Sequence, residues 1–71
     1  MFMVNLFKAK LKELNKSVPD IAAVIGVNQA TLHRKMNGTS DFTRNEIQLI
    51  RYALGLTDEE MTNIFFAEHL A

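Results

Sequence analysis

The 71-residue sequence predicts an all-α domain of five short helices. Three observations carry that expectation. Apolar residues recur at intervals of three and four, and nowhere alternate as in a strand. Ser17, Thr43 and Thr57 are each followed three positions later by an acidic residue, the pattern of a capping box. Glycines at 26, 38 and 55 follow the apolar runs, where a helix is expected to stop.

The first helix is expected over Met3–Asn15. Val4, Phe7, Leu11 and Leu14 fall on one face, and Lys8, Lys10, Lys12 and Lys16 lie mostly off it as a solvated surface. Ser17 caps the second helix with Asp20 as its acidic partner. Pro19 falls in the first turn, where its missing N–H breaks no hydrogen bond. Ile21, Ala22 and Ile25 supply the apolar face, and Gly26 ends the helix. Asn28 caps a third helix over Gln29–Met36, stopped by Asn37-Gly38. A polar loop, Thr39-Ser40-Asp41, leads to Thr43 and Glu46, the box of a fourth helix with Ile47, Ile50 and Leu54 inward and Gly55 at its end. Thr57 and Glu60 open a fifth, whose Asp58 and Glu59 suit a positive helix end. Its apolar positions Met61, Ile64 and Phe65 continue toward His69 and Leu70.

The length suits one domain, which at this size is marginal unless its helices pack efficiently or a partner subunit helps. The chain has no cysteine, so neither a disulfide nor a thiolate metal site contributes. The first residues run apolar and then basic, the reverse of a secretory signal. No stretch approaches the roughly 20 apolar residues of a membrane span. A cytoplasmic protein is expected.

Formal net charge is zero, yet the charges are unevenly placed. Residues 1–38 carry six lysines and arginines against Glu13 and Asp20, whereas residues 39–71 carry Arg44 and Arg51 against six acids. One end can therefore meet phosphate while the other faces water or a partner. Catalysis is not expected: there is no nucleophile–base pair at suggestive spacing, no phosphate-cradling glycine loop and no HExxH. Glu59 and Glu60 serve the helix dipole. His33 and His69, without a cysteine, do not make a metal site, and no cofactor is expected.

The most informative stretch is SVPDIAAVIGVNQATLHRKMNG, residues 17–38. The small Ala22 lets the third helix cross closely, Gly26 permits a sharp turn, and Val27 and Leu32 fill the space between the two helices. The second helix of the pair then projects outward, able to enter a major groove about 12 Å wide. Ser17, Ile21, Ala22, Gly26, Val27, Leu32 and Gly38 give this stretch its resemblance to the lambdoid-phage repressor and Cro class of helix-turn-helix proteins, the XRE class. Downstream, FTRNEIQLIRYALGLTDEEMTNIFF looks like the tail of small Cro-like regulators from phages of Gram-positive bacteria. The resemblance implies a lambda-repressor-like DNA-binding domain in a bacterial host, with its helix-turn-helix in helices 2 and 3. Val18 stands where the family often has a glutamine that touches phosphate, and Met36 where it often has an acid.

Double-stranded operator DNA is the partner this resemblance implies. Family analogy turns Leu32 and Lys35 inward and exposes Gln29, Ala30, His33, Arg34 and Asn37; apolarity alone turns Leu32 and Met36 inward and exposes Ala30, Thr31, Arg34 and Asn37. Both readings expose Arg34, whose guanidinium can bond guanine O6 and N7. Gln29 can do the same for adenine, Ala30 can touch a thymine methyl, and Asn28 can position on phosphate. Arg44 resembles the family's backbone-contacting basic residue, and Lys35 can lay its stem along the core with its ammonium outward. A second reading makes the chain a modulator that binds a phage repressor protein and blocks its DNA face. Neutral charge, Val18 and a third helix able to present Leu32 and Met36 favour it. A homodimer through helix 5 is also expected. Phe65 and Phe66 point about 100° apart and cannot both face one core; Phe66 either lies at an interface or packs under helix 1.

Overall fold

The computed structural model describes residues 1–67, and these form five helices and no strand. They are α1 (Val4–Glu13), α2 (Val18–Ile25), α3 (Gln29–Met36), α4 (Arg44–Leu54) and α5 (Asp58–Phe65). α2 packs against both α3 and α4, and α1 packs against α5. The Cα radius of gyration is 11.3 Å. Among the described residues, no helix is long and apolar enough to cross a membrane.

The caps explain where the helices begin. Ser17, Thr43 and Thr57 each accept a hydrogen bond from the backbone N–H three residues on, and the acid at that position accepts one from the cap's own N–H. Asn28 Oδ1 accepts from the Thr31 N–H at 2.8 Å and caps α3. α1 alone has no side-chain cap. Its entry is held instead by the Met3 N–H, which donates to the Ile64 carbonyl at 2.7 Å.

Four helices end in the same way. After α2, the Val27 N–H reaches the Ala22 carbonyl at 3.0 Å and the Gly26 N–H reaches Ala23 at 3.3 Å, the paired bonds of a Schellman motif. Gly26 sits at φ 72°, a left-handed conformation that a Cβ disfavours. Equivalent bonds close α3 around Gly38 and α4 around Gly55. α1 closes around Asn15 at φ 57°, with the Lys16 N–H on the Leu11 carbonyl at 2.8 Å. This corrects the expected first helix. It starts one residue later than Met3 and stops at Glu13, because Asn15 turns left-handed instead of continuing the helix, and Leu14 is exposed rather than inward. α5 likewise stops at Phe65, with Phe66 out of helical conformation; the expected continuation through His69 and Leu70 lies outside the described residues.

The core joins Phe7, Leu11, Ile21, Ala22, Ile25, Leu32, Met36, Ile50, Leu54, Leu56, Ile64 and Phe65. Phe7, Ile21, Leu32 and Ile50 are fully enclosed. Phe2 reaches in from the N-terminal segment, its ring 5.2 Å from Phe7, 4.9 Å from Phe42 and 5.3 Å from Phe65. No polar or charged residue among those described is buried, so the interior imposes no unpaired hydrogen-bonding group.

Candidate nucleic-acid interface

α3 has a sharply divided surface. Leu32 and Met36 are buried, and Lys35 is mostly enclosed. Gln29, Ala30, His33, Arg34 and Asn37 are exposed along the other side, while Thr31 is half-buried. The inward face therefore combines both sequence-level expectations, Leu32 with Lys35 and Leu32 with Met36. The outward face is the one family analogy implies, with Thr31 at its margin.

Each remaining candidate has a definite place. Asn28 is exposed, but its carbonyl oxygen is engaged by the Thr31 N–H, leaving its side-chain NH₂ to meet a ligand. Arg44 is exposed on the first turn of α4, directly after the Thr43 cap. His33 is exposed, and among the described residues no group of histidines and acids can hold a metal ion. Phe65 is 7% exposed and packs edge-on to Phe42 with centroids 5.3 Å apart; Phe66 is 53% exposed. Of the two, Phe66 is the side chain a partner can reach.

Electrostatics sharpen the picture. Lys10 pairs with Glu13 at 2.8 Å and also with Glu60, Arg51 pairs with Asp58, and Lys35 pairs with Glu46 at 3.0 Å. Among the described residues, Lys8, Lys12, Lys16, Arg34 and Arg44 make no ion pair, whereas most of the acids are engaged in caps or pairs. Zero net charge thus coexists with exposed cations that no ion pair among the described residues holds, although Lys16 lies in the field of Asp20 and helps to lower its carboxyl. Lys8, Lys12 and Lys16 border one shallow groove between the end of α1 and the start of α2.

Lys10, which the sequence leaves as a surface charge, and Lys35, whose ammonium was expected to point outward, both prove to be engaged in the fold. Lys35 Nζ donates to the Asp41 carbonyl at 3.0 Å and meets Glu46 Oε1, the same oxygen that accepts from the Thr43 N–H at 2.9 Å. Partial burial pushes the Glu46 carboxyl upward, but the Thr43 N–H and the Lys35 ammonium outweigh it and hold the group below its ordinary value. Lys10 does the same for the α5 cap: its hydrogen bond to Glu60, seconded by the Thr57 N–H, lowers that carboxyl. No local sequence pattern marks the Lys35–Glu46 contact, because eleven residues and a loop separate the partners and no helical i,i+4 spacing applies.

Comparison of the chain with protein-family models, with curated proteins and with solved structures finds no match.

Proposed function

We propose that this protein is a phage-type transcriptional regulator that binds operator DNA through the exposed face of α3, acting in the bacterial cytoplasm. In this reading α2, the turn at residues 26–28 and α3 form a helix-turn-helix. The observation that carries it is the composition of the outward face of α3: Gln29, Ala30, His33, Arg34 and Asn37 include no apolar side chain larger than alanine. Such a face suits hydrogen bonding to base edges, with Ala30 against a thymine methyl. Arg44 and the N-terminal amides of α3 supply phosphate contacts. The same observation counts against repressor capture through this helix, since Leu32 and Met36, which favoured it, are both buried.

A single module of this size makes few phosphate contacts, and two half-sites about 34–36 Å apart remedy that. The proposed regulator is accordingly a homodimer, with Phe66 at its interface. Gel retardation with the protein's own promoter region should show specific binding. Its affinity should fall with salt by about 0.9 log units per decade for each phosphate contacted. If the pure protein retards no such fragment and instead co-purifies with a repressor, the modulator reading replaces this one. Phe66→Ser should shift the sedimentation profile toward monomer at concentrations where the parent protein is dimeric.

A further inference from the structure

We propose that Lys35 and Glu46 are positioning residues that set the spacing between the base-reading face of α3 and the phosphate contact at Arg44; this rests on the DNA-binding reading above. Arg34 and Arg44 lie on different helices, joined by the segment 37–43. Thr39 and Ser40 N–H groups return to the Arg34 carbonyl at 2.9 and 3.2 Å, which anchors the near end of that segment to α3. The far end is anchored by one ammonium. Lys35 Nζ, on the α3 side, holds both the Asp41 carbonyl and Glu46 Oε1, each at 3.0 Å. Glu46 in turn holds the Thr43 N–H, one residue before Arg44. The side chains of the pair are only 11% and 12% exposed, so water screens the contact poorly.

Stability alone does not account for this arrangement. A largely enclosed ion pair contributes little net stability relative to apolar groups of the same shape, because desolvation opposes the attraction. It does impose a direction, since an ammonium with two fixed acceptors leaves α4 one favoured position relative to α3. A two-point reader needs that fixed spacing, because a displaced phosphate contact either breaks or drags the reading helix off its base edges.

The pair can be removed without changing net charge. K35M/E46Q deletes one charge of each sign, keeps the lysine stem as methionine and leaves an amide oxygen to accept from Thr43. It should melt cooperatively like the parent protein and keep the base preference set by Arg34. Its salt dependence should become shallower by about 0.9 log units per decade, one phosphate contact's worth. K35R, which retains a cation, should restore the parental slope. A folded K35M/E46Q variant with the parental affinity and slope would overturn the proposal. A DNA-free measurement separates this outcome from failure of the DNA-binding reading. Spin labels at R34C and R44C should give a narrow distance distribution with the pair present and a broad one in K35M/E46Q. An unchanged distribution overturns the positioning role whether or not the protein binds DNA.

Discussion

Leu32 and Arg34 are two positions apart on α3, which places them about 200° apart around the helix and gives them opposite tasks. Leu32 is fully enclosed between α3 and its neighbours, and Arg34 is open to solvent. This division was legible in the sequence because an apolar residue and a charged one differ so strongly in the free energy of burial. Lys35 and Met36 were harder to place. Met36 fits the core by transfer energy, and Lys35 fits it only once a counter-charge is supplied, here by Glu46 from another helix. Their separate claims on the inward face were therefore both correct, and the resulting outward face is shifted from the one apolarity alone suggests, taking in Gln29 and His33 and leaving Thr31 at its margin. Arg34→Ala should cost about 1–3 kcal/mol of discrimination at one base position and leave the remaining preference intact. Selection from random duplexes with the parent and the variant checks this directly.

At the scale of the element, helix starts were more legible than helix ends. A start is marked by a side chain that bonds a backbone N–H three residues away, and such a bond depends only on local sequence. All three predicted boxes form, as does the Asn28 cap. Ends depend on one residue turning left-handed. Glycine announces that turn after α2, α3 and α4, whereas Asn15 adopts it after α1 with a residue that elsewhere continues a helix. Asn15→Ala should therefore destabilise the protein by about 1 kcal/mol, because alanine tolerates the left-handed region poorly. In a domain this small, that lowers the melting midpoint by roughly 4–8 °C, measurable by circular dichroism. Asn15→Gly should not show this loss. The choice between Phe65 and Phe66 was only partly legible, since the apolar pattern includes Phe65 while helix 5 as a whole was expected at an interface. Helical geometry separates the two rings by an angle, and only the packing of Phe2 and Phe42 decides which one turns inward.

Across the whole molecule, ion pairs tie helix to helix at the caps. Lys10 connects α1 to the Glu60 of the α5 box, Lys35 connects α3 to the Glu46 of the α4 box, and Arg51 connects α4 to Asp58. Asp20, Glu46 and Glu60 all titrate below their ordinary values: Asp20 through the Ser17 backbone and hydroxyl, Glu46 through Thr43 and Lys35 against burial, and Glu60 through Lys10 and Thr57. A carboxyl with a lower value in the folded chain than in the unfolded chain stabilises the fold above the unfolded value, about 4. That contribution disappears as pH falls through the folded value. The melting midpoint should accordingly hold steady from neutral pH to about 5 and drop steeply below about 4. Thr43→Ala and Thr57→Ala variants should melt lower at every pH yet keep most of this acid sensitivity, because the cap's backbone N–H and the lysine that depress each carboxyl survive the substitution.

The Phe2 ring lies 5.3 Å from that of Phe65, although 63 residues of chain separate them, and the Met3 N–H is bonded to the Ile64 carbonyl. On the ribosome Phe65 is added 63 residues after Phe2. α2, α3 and α4 can meet as they emerge, but Phe2, Phe7 and Phe42 have no Phe65 to enclose them until α5 has cleared the exit tunnel. The last part of this core therefore assembles only once α5 has been made. A translation product that stops before Asp58 lacks the segment that shields those rings, and it presents quality-control proteases with exposed aromatic surface rather than a finished domain.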